Sequence, residues 1–141
     1  MKNEIEPIVI SAFMHTGKAQ LANKWSDLCI YISGEGMNED EFVAEVKKHL
    51  EEKLYPYILV PSSQKVRDAL TLNDIHYLII GPFTSRDEYI RRALAEHDRS
   101  FEHILWLYQN WERLLDELID DGSPIIWLNY GETIADVLFG R

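Results

Sequence analysis

The chain has 141 residues, of which 46% are apolar and 11% aromatic, enough to bury one hydrophobic core, so we expect a single domain spanning residues 1–141. Its 14 Lys and Arg against 24 Asp and Glu give a net charge of −10. Such a surface repels duplex nucleic acid and anionic lipid unless basic residues form a patch, and no coherent basic stripe is present, so nucleic-acid binding is not expected.

The N-terminal residues MKNEIEP are too acidic for a signal peptide, and no apolar run approaches the roughly 20 residues of a membrane span. The lone Cys29 excludes an internal disulfide and lies in an apolar run, which predicts a buried, unreactive thiol. We therefore expect a cytoplasmic protein with no membrane segment.

Short apolar runs alternate along the chain with longer segments of helical periodicity. The short runs predict strands at 8–11, 28–33, 57–61, 76–81 and 125–129. The periodic segments predict helices at 18–25, 38–53, 63–72, 85–95 and 100–120. Because strand and helix alternate, the strands must be joined by crossovers, which predicts a three-layer α/β domain with a mainly parallel sheet of about five strands.

Local chemistry places several helix boundaries. Asn38 followed by Glu41 has the spacing of a capping box, and Ser85 followed by Glu88 repeats it. In the last long helix, apolar residues recur every three to four positions and are predicted to pack on the sheet: Phe101, Ile104, Leu105, Tyr108, Trp111, Leu115, Leu118 and Ile119.

The segment IVISAFMHTGKAQLA (8–22) nearly matches the phosphate-binding pattern GxxxxGK[ST], and it lies between a predicted strand and a predicted helix, as that pattern requires. Gly17 and Lys18 stand at the final Gly and the Lys, where backbone N–H groups and a cation attract phosphate. Ala12 replaces the first Gly. Ala19 replaces the Ser or Thr whose hydroxyl ligates Mg²⁺.

Four further segments follow this loop in order: YILVPSSQKVRDAL (57–70), GPFTSRDEYIRR (81–92), NWERLLDEL (110–118) and LNYGETIADVL (128–138). Together they resemble the phage-encoded P-loop deoxynucleoside monophosphate kinases over nearly the whole chain. The resemblance implies a P-loop kinase-like fold, ATP as cofactor and a place in the cytoplasm of the host cell.

By that resemblance, Lys18 and Arg92 would be the catalytic residues, Lys18 on the β- and γ-phosphates of ATP and Arg92 entering from a lid. Arg67 would lie near the nucleoside monophosphate, and Glu35 is the only acid in the shortened segment after the second strand, so these two are the predicted substrate contacts. The cofactor-binding residues would be His15, Thr16, Gly17, Lys18 and Ala19.

The chain departs from the family at three places that serve one mechanism. Ala19 removes a magnesium ligand, the acids expected after the second strand are absent apart from Glu35, and the second lid arginine is missing where Ala95 and Glu96 stand. The histidines show no metal-ligand spacing, and no metal site is predicted. We therefore expect a module that binds a nucleotide or a host protein, with little or no turnover. The alternative is an active ATP-dependent (deoxy)nucleoside monophosphate kinase. The pattern indicates no oligomeric state.

Overall fold

The computed structural model describes residues 6–13, 16–82, 86–95, 100–129 and 132–140. Within these residues the chain forms five strands and six helices. The strands are β1 Ile8–Ala12, β2 Cys29–Tyr31, β3 Tyr57–Pro61, β4 Leu78–Pro82 and β5 Ile125–Leu128. The helices are α1 Lys18–Lys24, α2 Glu39–Glu52, α3 Gln64–Leu72, α4 Arg86–Leu94, α5 Phe101–Asp120 and α6 Ile134–Phe139.

The five strands form one sheet in the order β2-β3-β1-β4-β5, and every neighbouring pair is parallel. The central strand β1 pairs with β3 from Ile8 opposite Tyr57 to Ala12 opposite Pro61. On its other side, Ile10 to Ala12 pair with the start of β4. The predicted α/β class and five-stranded parallel sheet are thus confirmed.

Helices cover both faces of the sheet, and alternate residues of β1 show the division. Val9 and Phe13 pack in a core with α2, α3, α4 and α5. Ile10 and Ala12 pack in a second core with α1 and α6. Because successive side chains of a strand point to opposite faces, a strand buried on both sides carries the continuous apolar run that predicted it.

Side chains cap α2, α3 and α5 where the sequence offers them. The Asn38 side chain accepts from Glu41 N at 2.8 Å, and the Glu41 side chain accepts from Asn38 N at 3.0 Å, which confirms the predicted capping box. Ser63 and Ser100 cap α3 and α5 in a similar way. The predicted cap at Ser85 lies outside the described residues.

The face of α5 that meets the sheet differs in part from the predicted face. The buried residues of this helix are Ile104, Leu107, Trp111 and Leu118. Four residues predicted to pack on the sheet are exposed instead: Phe101, Leu105, Tyr108 and Ile119. Apolar residues occupy two neighbouring stripes of α5, and only the stripe that begins at Ile104 is turned into the core, so the prediction for those four residues is wrong.

Gly81 permits a close contact between β4, β5 and α5. A Cβ atom at this position would lie 2.9 Å from Trp127 Cζ3 and 3.3 Å from Leu118 Cδ1. Contacts this short force neighbouring side chains out of their rotamers.

We expect Gly81→Ala to lower the free energy of unfolding by about 1–3 kcal/mol, because the added methyl group overpacks the core. Urea denaturation measures the loss. In a Trp127→Leu background the same substitution should cost less, since the indole ring that it meets is gone. Equal costs in the two backgrounds would contradict the assigned contact.

Candidate functional site

At the carboxyl end of β1, neighbouring strands are followed by helices on opposite faces of the sheet. The connection leaving β1 passes through α1 on one side of the sheet, whereas the connections leaving the neighbouring strands β3 and β4 pass through helices on the other side. Right-handed crossovers require this arrangement, because β1 to β2 runs in one direction along the sheet and β3 to β4 runs in the other. Parallel sheets bind ligands in the crevice that opens at such a point.

The segment after β1 lies at this end of the sheet. Phe13 continues past the strand, and its N–H donates to Ile80 O at 2.9 Å. The Thr16 hydroxyl donates to Phe13 O at 2.6 Å, and Thr16 is buried. Gly17 then caps α1 with φ 97° and ψ 22°, a left-handed conformation that favours glycine. The matched Gly of the sequence pattern is therefore needed for the backbone.

Lys18, the first residue of α1, folds its side chain back over the end of β1. Its ammonium donates to Ala12 O at 2.9 Å and to Phe13 O at 3.0 Å. The ammonium also lies 5.9 Å from the centre of the Tyr31 ring, and the residue is 9% exposed. A positive charge is thus held at the carboxyl end of the central strand.

Ala12, at the position of the missing first Gly, is an ordinary strand residue. It pairs with Pro61 on β3 and with Ile80 on β4, and it is fully buried. Its backbone does not adopt a positive φ. Alanine at this place therefore strains nothing in the backbone.

The start of α6 packs against the same segment. Ile134 N donates to Thr16 O at 3.3 Å, and a Cβ built on Gly17 would lie 3.9 Å from Thr133 Cβ. The sequence analysis assigned no role to Thr133. The carboxyl ends of parallel strands meet at one edge of the sheet, so the end of β5 could have been expected near the end of β1.

Three predicted cofactor or substrate residues, Ala19, His15 and Glu35, are not among the contacts described above. Ala19 is the second residue of α1, and its side chain is outside the described residues, as is the whole of His15. Glu35 is exposed in the loop after β2, where its N–H donates to Ser33 Oγ at 3.2 Å. Because β3 separates β2 from β1, those two strand ends are about 10 Å apart. A substrate contact from Glu35 stays a prediction.

Arg92 belongs to α4, and its side chain is likewise outside the described residues. The helix itself packs against the residue that follows β1. Tyr89 of α4 packs edge-on to Phe13 with 5.5 Å between ring centres, and both rings meet Trp111 of α5. A catalytic role for Arg92 stays a prediction.

The side chain of Arg67 is buried and bonded to groups of the protein itself. Its Nη1 lies 2.7 Å from Asp121 Oδ2 and donates to Glu117 O at 3.3 Å, its Nε donates to Ser62 O at 3.0 Å, and its Nη2 donates to Gln64 Oε1 at 3.2 Å. The side chains of Arg67 and Asp121 are 2% and 7% exposed. This ion pair joins α3 to the end of α5. A contact between Arg67 and a substrate stays a prediction.

The same carboxylate oxygen also accepts a bond from Tyr77, whose hydroxyl lies 2.7 Å from Asp121 Oδ2. Burial opposes ionisation of Asp121, but hydrogen bonds from Ser123, Tyr77 and Arg67 and the guanidinium charge outweigh it, so the pKa of this carboxyl lies below its ordinary value. Burial, with the carboxylate nearby, raises the pKa of Tyr77. The buried Arg67 charge therefore depends on an ionised Asp121.

We expect Asp121→Asn to lower the free energy of unfolding at pH 7 by roughly 3 kcal/mol, because the Arg67 charge stays buried without its partner. An acid with a depressed folded pKa stabilises the fold above its unfolded pKa of about 3.9 and loses that contribution as the pH falls through the folded value. The wild type and the variant should therefore converge below about pH 4.

Urea denaturation across a pH series measures this convergence. Asp120→Asn, on the exposed neighbouring residue, is the matched control and should leave stability nearly unchanged. A difference between wild type and Asp121→Asn that stays constant into the acid range would contradict the ion pair.

Cys29 is buried, and burial raises the pKa of its thiol. In the described residues, His, Cys, Asp and Glu side chains nowhere gather in groups of three or more that could hold a metal ion. None of the helices in the described part of the chain combines the length and hydropathy that a bilayer crossing requires.

The chain matches no protein-family model and no curated protein sequence. Its function must therefore be inferred from the chemistry of the site, because a fold of this class hosts many unrelated activities.

Proposed function

We propose that this chain is a nucleotide-binding module on a P-loop kinase-like scaffold, with little or no magnesium-dependent phosphoryl transfer. One observation carries the proposal: the Lys18 ammonium is held at the carboxyl end of the central strand, directly after the left-handed Gly17. At this point the helices that follow neighbouring strands lie on opposite faces of the sheet. The ligand would be the polyphosphate of a nucleotide such as ATP.

The chemistry of this place suits phosphate. The ammonium is nearly buried, and a charge in such surroundings interacts more strongly with an anion than it would in water. Lysine acts as a compact point charge and is a common phosphate ligand in loops of this shape. Because the protein as a whole carries a net charge of −10, an anion needs a local cation of this kind.

Binding without turnover follows from the residue at position 19. Phosphoryl transfer in P-loop enzymes depends on a magnesium ion that a Ser or Thr hydroxyl helps to hold, and that ion neutralises the charge developing between the β- and γ-phosphates. Alanine supplies no oxygen at this position. The arginines of the alternative, an active kinase, act only on a metal–nucleotide complex that is already correctly held.

Isothermal titration calorimetry with ATP, with and without Mg²⁺, tests the proposal. We expect the wild type to bind ATP in both conditions and Lys18→Met to bind at least tenfold more weakly, the loss typical of one charge-assisted hydrogen bond. Lys24→Met, on an exposed lysine at the end of the same helix, is the matched control and should bind as the wild type does.

Turnover is measured separately, as ADP formation with a panel of deoxynucleoside monophosphates. We expect wild type and Lys18→Met to be equally inactive. Robust wild-type turnover that disappears in the variant would establish the kinase instead, and equal ATP binding by wild type and variant would reject the site. Because the Lys18 ammonium also bonds two carbonyls, thermal unfolding of each variant is recorded, and Lys18→Gln replaces Lys18→Met if the latter does not fold.

A further inference from the structure

Helix α6 contacts the chain on both sides of α1. At the start of α6, Ile134 N donates to Thr16 O at 3.3 Å, one residue before the N-cap of α1. At its end, the Phe139 ring stacks on the indole of Trp25, the C-cap of α1, with 4.5 Å between ring centres and 23° between ring planes. We call residues 16–18 the α1 junction. One short helix therefore connects this junction to the other end of α1.

Docking of α6 depends on one fully buried side chain and several half-buried ones. The helix has six residues, a length at which an isolated helix is not stable, so its contacts with the rest of the chain maintain it. Ile134 is fully buried, whereas the other apolar side chains are half-buried: Ala135, Val137, Leu138 and Phe139. Loss of the Phe139 ring would therefore remove the aromatic contact that holds the end of the helix.

The stack of Phe139 on Trp25 includes an unfavourable contribution. Trp25 Nε1 is buried, and within the described part of the chain no protein group accepts a hydrogen bond from it. A buried donor that lacks an acceptor opposes the buried state, because it has given up its bonds to water. Release of α6 would uncover the indole ring and let water reach it. The docked and released arrangements are therefore closer in free energy than the apolar contacts alone would make them.

A ligand at Lys18 would favour docked α6. The α1 junction takes part in both interactions, because Thr16 O accepts from Ile134 N and Lys18 carries the charge proposed to bind phosphate. Release of α6 would leave Thr16 O without this donor and the backbone before Lys18 without this support. A ligand that requires the ordered junction binds the docked arrangement more tightly, so it shifts the population toward that arrangement.

We propose that α6 regulates the Lys18 site by docking and release: the docked helix orders the α1 junction for an anion, and a bound nucleotide keeps the helix docked. The inference rests on the proposed nucleotide binding for its ligand. Linkage makes the two effects equal, so the factor by which saturating ATP disfavours release is the factor by which release weakens ATP binding. Coupling between sites commonly amounts to about fivefold or more, and we expect about fivefold here.

Amide hydrogen exchange of the ligand-free protein, followed by NMR, tests the docking. Phe139→Ala should speed exchange of the Ile134 and Leu21 amides about fivefold, because both amides donate to carbonyls of the α1 junction. Phe101→Ala is the matched control, the same change at a side chain of α5 that is 79% exposed, and it should leave both rates unchanged. Wild-type rates in Phe139→Ala would overturn the proposal.

Replacing the indole N–H tests the unfavourable contribution. Trp25→benzothienylalanine keeps the two-ring shape and the stack on Phe139 but puts sulfur in place of the donor. Exchange of the Ile134 amide should become slower than in the wild type, because docking no longer buries an unpaired N–H group. This variant gives the result if Phe139→Ala does not fold, which circular dichroism checks. An Ile134 rate equal to or faster than that of the wild type would overturn the proposal.

Titration with ATP tests the coupling. Calorimetry should show Phe139→Ala binding ATP about fivefold more weakly than the wild type, and saturating ATP should slow exchange of the wild-type Ile134 amide by the same factor. Phe101→Ala should match the wild type in both measurements. ATP that binds wild type and Phe139→Ala equally, with no change in the Ile134 rate, would reject the regulation alone. A wild type that does not bind ATP would reject the proposed function and the regulation together.

Discussion

The central strand β1 is buried on both faces, and at its carboxyl end the connections of neighbouring strands leave toward opposite sides of the sheet. Right-handed crossovers require this once the order is β2-β3-β1-β4-β5. Parallel sheets commonly bind ligands at such a point, which the topology sets without any specific side chain, and Phe13 and Lys18 lie there. The topology sets where the candidate site lies, and Lys18 supplies its positive charge.

The lysine also has a structural effect on the site that it occupies. The ammonium accepts no bonds and donates to two carbonyls at the end of β1, where the strand leaves its ladder. The Thr16 hydroxyl donates to one of the same carbonyls, Phe13 O. Two carbonyls at the end of β1 are thus paired with side chains of Thr16 and Lys18, as buried carbonyls must be. The residue that supplies the positive charge therefore also satisfies the backbone at the end of the strand.

Features that depend on a few neighbouring residues could be predicted from the sequence. The capping box at Asn38 and Glu41 needs only a side chain and a backbone group three residues away, and β3 is a continuous apolar run with the bounds that were predicted. The strand before Gly17 and the helix after it also follow from a local pattern.

Features that depend on partners distant in the sequence could not be predicted from it. Arg67 contacts Asp121, which lies 54 positions away in the sequence. No local pattern around an arginine in a helix indicates such a partner. The four residues wrongly assigned to the core of α5 fail for a related reason. Two apolar stripes satisfy the same periodicity, and the packing of α4 and the sheet decides which of them is covered.

The two faces of the sheet also differ in how firmly they hold their helices. Helices α1 and α6 have only seven and six residues, lengths at which a helix is not stable in isolation. They are held by the burial of Leu21 and Ile134 and by the stacking of Trp25 on Phe139, with 4.5 Å between ring centres.

The α2 to α5 face has the longer helices and the ion pair between Arg67 and Asp121. The proposed phosphate loop thus belongs to the less extensively packed side, the part of a protein from which ligand-binding elements are commonly drawn. A ligand that binds only the folded loop would stabilise α1 and α6 by mass action, whereas the opposite layer already holds its shape through its own core. Ligand occupancy would therefore be felt first at the junction of α1 and α6, where Ile134 N meets Thr16 O.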